Sequence, residues 1–128
     1  MIRNVTRKKI LCSKTELAGT AFQLAKGLMF RKNLDRDSGM LMRFNKPGRH
    51  GIWMLFMRFP IDVVFIDSES LVTGIFENIR PVSLRRSTWK ICRPEKPAKY
   101  ALELAAGRIR ETNTKVGDSL KLIEISEE

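Results

Sequence analysis

Short apolar runs separated by turn residues constrain the fold of this chain more than any other feature. The runs are rich in β-branched and aromatic residues, and clusters of Gly, Pro, Asn, Asp and Ser lie between them. This pattern predicts β-strands joined by tight turns. The predicted strands are residues 5–12, 40–44, 51–57, 63–66, 71–79, 99–104 and 119–125.

Two short segments have helical features. Apolar residues recur at helical spacing in residues 20–30, where Thr20 is a suitable N-cap and Gly27 comes late in the segment. Gly27 there either ends the helix or lets another backbone come close. Residues 108–113 form the second predicted helix. The sequence therefore predicts an α+β, mostly β fold: a small, partly closed, mainly antiparallel sheet or barrel with two short helices.

Residues 99–105 fit two structures. Tyr100, Leu102 and Leu104 alternate with smaller or charged residues, which favours a strand. The Ala, Leu and Glu composition favours a helix. We predict a strand as far as Leu104.

Chain length and charge limit the class of protein. A length of 128 residues with 43% hydrophobic residues predicts one folded domain spanning residues 1–128. The formal net charge of +10 favours anionic partners such as nucleic acid, acidic membranes or anionic metabolites. We find neither a signal peptide nor an apolar run that could span a membrane, which predicts a cytoplasmic location without membrane association.

Cys12, Cys92 and His50 leave few routes to metal or thiol chemistry. The two cysteines are too far apart in sequence for a CxxC pair, so two free thiols are favoured, although a long-range disulfide stays open. One histidine excludes multi-His zinc sites, and His50 lies in a polar turn that favours a solvated role. Five of the six methionines lie in or near predicted core segments, where packing is favoured over copper binding. No metal or cofactor is therefore predicted.

A series of short motifs occurs in a distinctive order along the chain. They are Gly27–Arg31, Gly39–Leu41 with Phe44, Trp53–Met54, Pro60, Asp62, Phe65–Asp67, Leu102–Leu104, Ala106–Gly107 and Val116–Asp118. This order resembles the family called domain of unknown function 192, and the stretch Trp53–Pro60 resembles its archaeal-type variant. The resemblance extends from about residue 5 to residue 124, and it implies no particular reaction. Many relatives have Thr at the position of Met57 and Pro at that of Ala105.

Four residues within these motifs are candidates for a ligand-binding cleft. Arg31 would supply a forked cationic donor, Trp53 a flat wall and Asp62 an acceptor, with Glu103 completing the cleft. The structural alternatives are a turn cap or buried arginine partner for Asp62, such as Arg31, and a solvent-facing strand position for Glu103. The leading hypothesis is a binding module for a small polar ligand or peptide segment.

Two other functions remain open. Asp62 and Glu103 could form an acid/base pair in an enzyme, if they approach each other. The basic segment 85–96 could bind nucleic acid or another polyanion weakly, because Trp89 lies among Arg85, Arg86, Lys90, Arg93 and Lys96. The alternative is an ordinary solvated face of a basic protein.

Overall fold

The computed structural model describes residues 1–123 and 126–127. Most of the ordered segments are β-strands, as the sequence predicts. The elements, in chain order, are β1 (Ile2–Asn4), β2 (Lys9–Cys12), β3 (Lys14–Ala18), α1 (Ala21–Lys26), β4 (Ser38–Gly48), β5 (Ile52–Trp53), β6 (Ile61–Ile66), β7 (Val72–Ile79), a 3₁₀ turn (Arg86–Thr88), β8 (Ile91–Cys92), β9 (Ala98–Ala105), α2 (Arg108–Thr112), β10 (Leu120–Leu122) and β11 (Ser126–Glu127).

The main sheet has six strands in the order β11-β3-β4-β9-β6-β7. The pairs within β4-β9-β6-β7 are antiparallel, whereas β3 pairs in parallel with both β4 and β11. The order leaves β11 and β7 as edges, so the sheet does not close, and the expected barrel is not observed. The parallel β3–β4 pair has no counterpart in the prediction, which did not identify residues 14–18 as a strand.

Two smaller sheets accompany the main one. β10, β1 and β2 form a three-stranded antiparallel sheet, and β5 pairs with β8. The strand predicted over residues 5–12 is instead the second half of a hairpin, because a turn with Lys8 at φ 58° separates β1 from β2. Of the strand predicted over residues 51–57, only Ile52–Trp53 is observed as a strand. The strand predicted over residues 119–125 is observed as β10, Leu120–Leu122, and residues 124 and 125 lie outside the described residues.

The core lies on both faces of β6 and β9. One cluster takes Val64 and Ile66 from β6 with Leu102 and Leu104 from β9. The other cluster takes the alternate residues of the same strands, including Val63 and Ala101. Because successive side chains of a strand point to opposite faces, the two central strands are covered on both sides. This double burial explains why residues 99–105, with few polar side chains, form a strand rather than a helix.

Local signals account for the ends of α1. The side chain of Thr20 accepts a hydrogen bond from the Gln23 backbone N–H, and the Gln23 side-chain oxygen accepts one from the Thr20 backbone N–H. This capping box confirms the expected N-cap. The helix ends at Gly27, whose φ of 48° lies in a region that other residues rarely adopt. No helix in the described part of the chain is long and apolar enough to cross a membrane.

Gly39 lies where β3, β4 and the core meet. A methyl group at this position would lie 3.0 Å from Cys12 Sγ and 3.1 Å from Leu104 Cδ2. Both neighbours are buried side chains, so they have little room to move.

We therefore expect Gly39→Ala to lower the free energy of unfolding by about 1–3 kcal/mol through overpacking. Urea unfolding measures the change. Gly74→Ala is the matched control on β7, because its new methyl group would meet neighbours only at 3.5 Å or more. Equal stabilities for the two variants would contradict the close packing at Gly39.

Candidate functional site

A cavity of about 190 Å³ opens beside the second core cluster. It lies between α1 with its following turn, β4, β5 and β9. Most of its walls are apolar, and Glu103 is its acidic member. The lining residues are Leu24, Lys26, Gly27, Leu28, Met29, Met42, Gly51, Ile52, Trp53, Met57 and Glu103.

Glu103 is buried within this wall. Its position on β9 places it opposite Met40 of β4 and Val63 of β6, and it is 5% exposed. Its Oε2 atom has no hydrogen-bond partner among the described residues. The expectation of a solvent-facing glutamate is therefore wrong: β9 is a central strand, so both of its faces are covered.

Burial controls the ionisation of Glu103. Removal from water disfavours the carboxylate and raises its pKa from 4.5 to about 7. The positive charge of Arg31 opposes this shift, but it is the smaller effect. Glu103 therefore changes charge near neutral pH.

Gly27 provides access to the carboxyl group. A methyl group at Gly27 would lie 3.8 Å from Glu103 Oε1 and 4.0 Å from Met42 Cε. The absent side chain and the positive φ of Gly27 thus bring the turn after α1 directly against the acid. The sequence predicted that Gly27 either ends the helix or lets another backbone come close. Gly27 ends the helix, and the group close to it is the Glu103 side chain rather than a backbone.

Arg31 lies at the edge of this site and is already paired. Its guanidinium donates two hydrogen bonds to the carboxylate of Glu16, with Nη2 2.7 Å and Nη1 3.2 Å from the two oxygens. Both side chains are about one third exposed. Arg31 therefore acts on Glu103 through its charge, and the suggested pair of Arg31 with Asp62 is not observed.

The mouth of the cavity carries exposed aromatic residues. Trp53 lines the cavity and is 45% exposed. Phe30 and Phe56 stack on each other with ring centroids 5.2 Å apart, and the backbone N–H of Phe30 donates to the Phe56 carbonyl over 3.0 Å. Both phenylalanines have positive φ, a conformation that is unusual for bulky residues.

Asp62 lies on the other face of the sheet from Glu103. Asp62 pairs in register with Leu104, whereas Glu103 pairs with Val63, so the two acids point away from each other. The expected acid/base pair of Asp62 and Glu103 is therefore not formed.

The carboxylate of Asp62 is fully buried and accepts hydrogen bonds from three backbone N–H groups. Oδ1 accepts from Asn78 at 2.8 Å, and Oδ2 accepts from Gly107 at 3.0 Å and Ile109 at 2.9 Å. These bonds join β7 and the start of α2 to β6. This arrangement corresponds to the turn-cap alternative that the sequence analysis gave for Asp62. The sequence shows no signal for it, since the donors are distant in sequence.

The residues considered for metal or thiol chemistry are His50, Cys12 and Cys92. His50 is exposed, stacks on Phe44 and contacts the Lys46 carbonyl through Nε2 at 2.9 Å. Cys12 and Cys92 are buried free thiols, and burial raises the pKa of each.

The basic segment 85–96 is largely exposed. Trp89 is 60% exposed, and its indole N–H donates to the Ser83 carbonyl at 2.6 Å, which orients the ring. Ile91 pairs with Trp53 across β5 and β8, so this segment lies beside the mouth of the cavity.

The fold and the site define a class of small, β-rich domain that carries a buried glutamate in an open, mainly apolar cavity. The particular family follows from comparison with known proteins: the model of DUF192, described as "Uncharacterized ACR", matches residues 2–122. The chain therefore belongs to the DUF192 family, which confirms the resemblance seen in its motifs.

The relatives agree with the archaeal variant. A UPF0127 protein of Thermococcus sibiricus is 30% identical over 128 residues, which cover 100% of this chain and 77% of that protein. A UPF0127 protein of Pyrococcus furiosus is 33% identical over 121 residues, covering 92% of this chain and 94% of the relative. A crystal structure from Sinorhizobium meliloti, described as a "putative transcription regulator", is 34% identical with a TM-score of 0.76, covering 84% of this chain and 79% of that one.

We expect Asp62→Asn to lower the free energy of unfolding by about 2–4 kcal/mol. The amide nitrogen would face a backbone N–H that now bonds to a carboxylate oxygen. Urea unfolding measures the loss, with Glu77→Gln, an exposed β7 variant, as the control. A change below about 0.5 kcal/mol, typical of surface sites, would contradict the anchoring role.

Glu103 should make stability depend on pH. Its pKa is raised in the folded state, so the folded protein holds a proton that the unfolded chain releases. Stability is therefore highest below pH 4.5 and falls as pH rises through about 7, by about 3 kcal/mol in total. Glu103→Gln should lack this component.

The measurement is urea unfolding of the parent protein and Glu103→Gln between pH 4 and pH 8. Subtracting the two curves removes the titration of every other group. Parallel curves across this range would show that Glu103 titrates normally.

Proposed function

We propose that this protein is a binding module whose ligand places a compact apolar group with an N–H donor in the cavity at Glu103. The ligand is either a small free molecule or one side chain of a peptide segment. This proposal refines the leading sequence hypothesis by naming the chemical group that the cavity would hold.

The observation that carries the proposal is the unpartnered Oε2 of Glu103. Buried polar atoms are nearly always hydrogen-bonded, and an unpaired one costs about 1–3 kcal/mol. Here the carboxyl group borders a cavity that a ligand can enter. A donor group on a ligand would satisfy the acid and offset this cost.

The walls define the rest of the ligand. Met42, Ile52 and Met57 supply an apolar surface, and Trp53 supplies a flat wall at the mouth. An engineered apolar cavity of about 150 Å³ holds benzene, so a cavity of 190 Å³ suits a group of about that size. The methionine side chains can adapt to different apolar shapes.

Binding is favoured over the carboxylate-pair enzyme. Asp62 points to the other face, and its two oxygens accept three backbone hydrogen bonds. Among the described residues that line the cavity, no second carboxylate is present to divide acid and base roles with Glu103. A single acid in an apolar cavity is better suited to orienting a ligand.

The test uses n-butylamine, n-butyramide and n-butyrate as probes of matched size. NMR of the two tryptophan indole N–H groups reports binding, with Trp89 as the internal reference and Trp89→Phe for assignment. Butylamine and butyramide should shift the Trp53 signal and leave the Trp89 signal in place. At pH 8, where Glu103 is mostly ionised, butyrate should have no effect, since it lacks a donor and is repelled by the carboxylate.

Two substitutions separate the charge of Glu103 from its hydrogen bonding. Glu103→Met removes both oxygens and should abolish the response to both donor probes. Glu103→Gln keeps an acceptor and should retain only the butyramide response. Glu77→Gln is the control for loss of a distant carboxylate. A full response in Glu103→Met would overturn the proposal.

Peptides distinguish the two sources of the donor group. An extended peptide with a central lysine should bind more tightly than free butylamine if a protein segment is the natural ligand. Equal or weaker binding would favour a free small molecule. Either result depends on Glu103 in the same way.

A further inference from the structure

Several large apolar side chains are exposed on the segments beside the cavity. Most are aromatic, and each is about half exposed or more. We call them the aromatic strip; its members are Phe30, Trp53, Phe56, Trp89 and Ile91.

The Phe30–Phe56 pair forms one end of the strip. Phe30 is 63% exposed and Phe56 is 54% exposed, so their stacking does not remove the rings from water. Their φ angles of 65° and 62° are strained for side chains of this size. Strain of this kind is often found at binding sites, and folding alone gives no reason to expose two strained aromatic rings.

Trp53 lines the cavity together with Met29 and Met57, the chain neighbours of Phe30 and Phe56, and Ile91 belongs to the basic segment. Trp53 and Ile91 are direct partners in the β5–β8 ladder, so their side chains lie on the same face. Trp89 precedes Ile91 by two residues, and its indole is held by Ser83. The strip therefore continues from the turn after α1 into segment 85–96.

The surroundings of the strip are cationic. Residues 21–34 and 49–60 contain five Lys or Arg residues and neither Asp nor Glu. Residues 83–93 contain four Lys or Arg residues and again no acid. Three nearby acids reduce this charge: Glu16, which pairs with Arg31, Glu77, which lines a pocket with Lys90, and Glu95.

We propose that the aromatic strip binds single-stranded nucleic acid, with bases stacked on its rings and phosphates neutralised by the flanking cations. Exposed rings among positive charges are what such binding requires, because every base has a face that can stack. An acidic protein partner would use the charges but has no need of flat rings. The surface extends beyond segment 85–96 to the far side of the cavity, and it does not depend on a ligand at Glu103.

The experiment measures fluorescence anisotropy of a labelled oligothymidylate and an oligouridylate, each of about 20 nucleotides, which exceeds the usual site of a small domain. Binding should weaken as salt rises, because released counterions drive part of the affinity. A duplex of the same length should bind less tightly, since its bases are already stacked.

Leucine substitutions test the rings and not merely apolar bulk. The double variant Phe30→Leu/Phe56→Leu, and separately Trp89→Leu, should each weaken binding roughly 10-fold or more. A surface that binds protein or lipid through apolar contact would tolerate leucine. Circular dichroism confirms that each variant is folded.

Charge variants provide a matched pair. Arg58→Ala/Lys90→Ala removes two exposed cations beside the strip and should weaken binding and reduce its salt dependence. Lys9→Ala/Lys121→Ala removes two exposed cations from the three-stranded sheet and should change binding little.

Three results would overturn the proposal. These are undetectable binding at low salt, unchanged affinity in both leucine variants, and capture by phosphatidylserine vesicles without oligonucleotide binding. Glu103→Met should bind the oligonucleotides normally, so failure of the cavity ligand and failure of this inference are told apart.

Discussion

The burial of β9 on both faces is the constraint on which the rest of the structure depends. β9 pairs with β4 on one side and β6 on the other, and a core cluster covers each of its faces. Between Ala101 and Ala105, a side chain of this strand reaches bulk water only through a gap in the packing. For the apolar residues this stabilises the sheet, but for Glu103 it costs desolvation free energy.

The buried acids of β6 and β9 have different surroundings. Asp62 is compensated by backbone donors from β7 and the start of α2, so its burial joins three elements. Glu103 lacks such compensation, and its pKa rises because the charged form is poorly solvated. One acid thus belongs to the scaffold. The other borders an open cavity, where we propose that it meets a ligand.

Three residues with an unusual backbone conformation lie near the same cavity. Gly27, Phe30 and Phe56 all have positive φ, and they lie in the turns that border it. Gly27 adopts this conformation at little cost, whereas the two phenylalanines do not. Their turns shape the rim, place two rings in water and bring basic residues alongside. The cavity and the aromatic strip therefore share a border, although they suit different partners.

The sequence by itself determined the local structure where short-range physics decides it. Periodicity placed most strands, the Thr20 capping box began α1, and Gly27 ended it. Motif order gave the family. Two of the four candidate residues, Trp53 and Glu103, line the same cavity, and the charge of Arg31 acts on Glu103.

Only the tertiary structure decided which side chains meet. From the sequence, Asp62 and Glu103 could have formed an acid/base pair. A one-residue difference in register places them on opposite faces of the sheet. The parallel β3–β4 pair, the open edges of the sheet and the partners of Asp62 all join residues far apart in the chain. Such contacts depend on the packing of the whole core, and local sequence patterns carry no record of them.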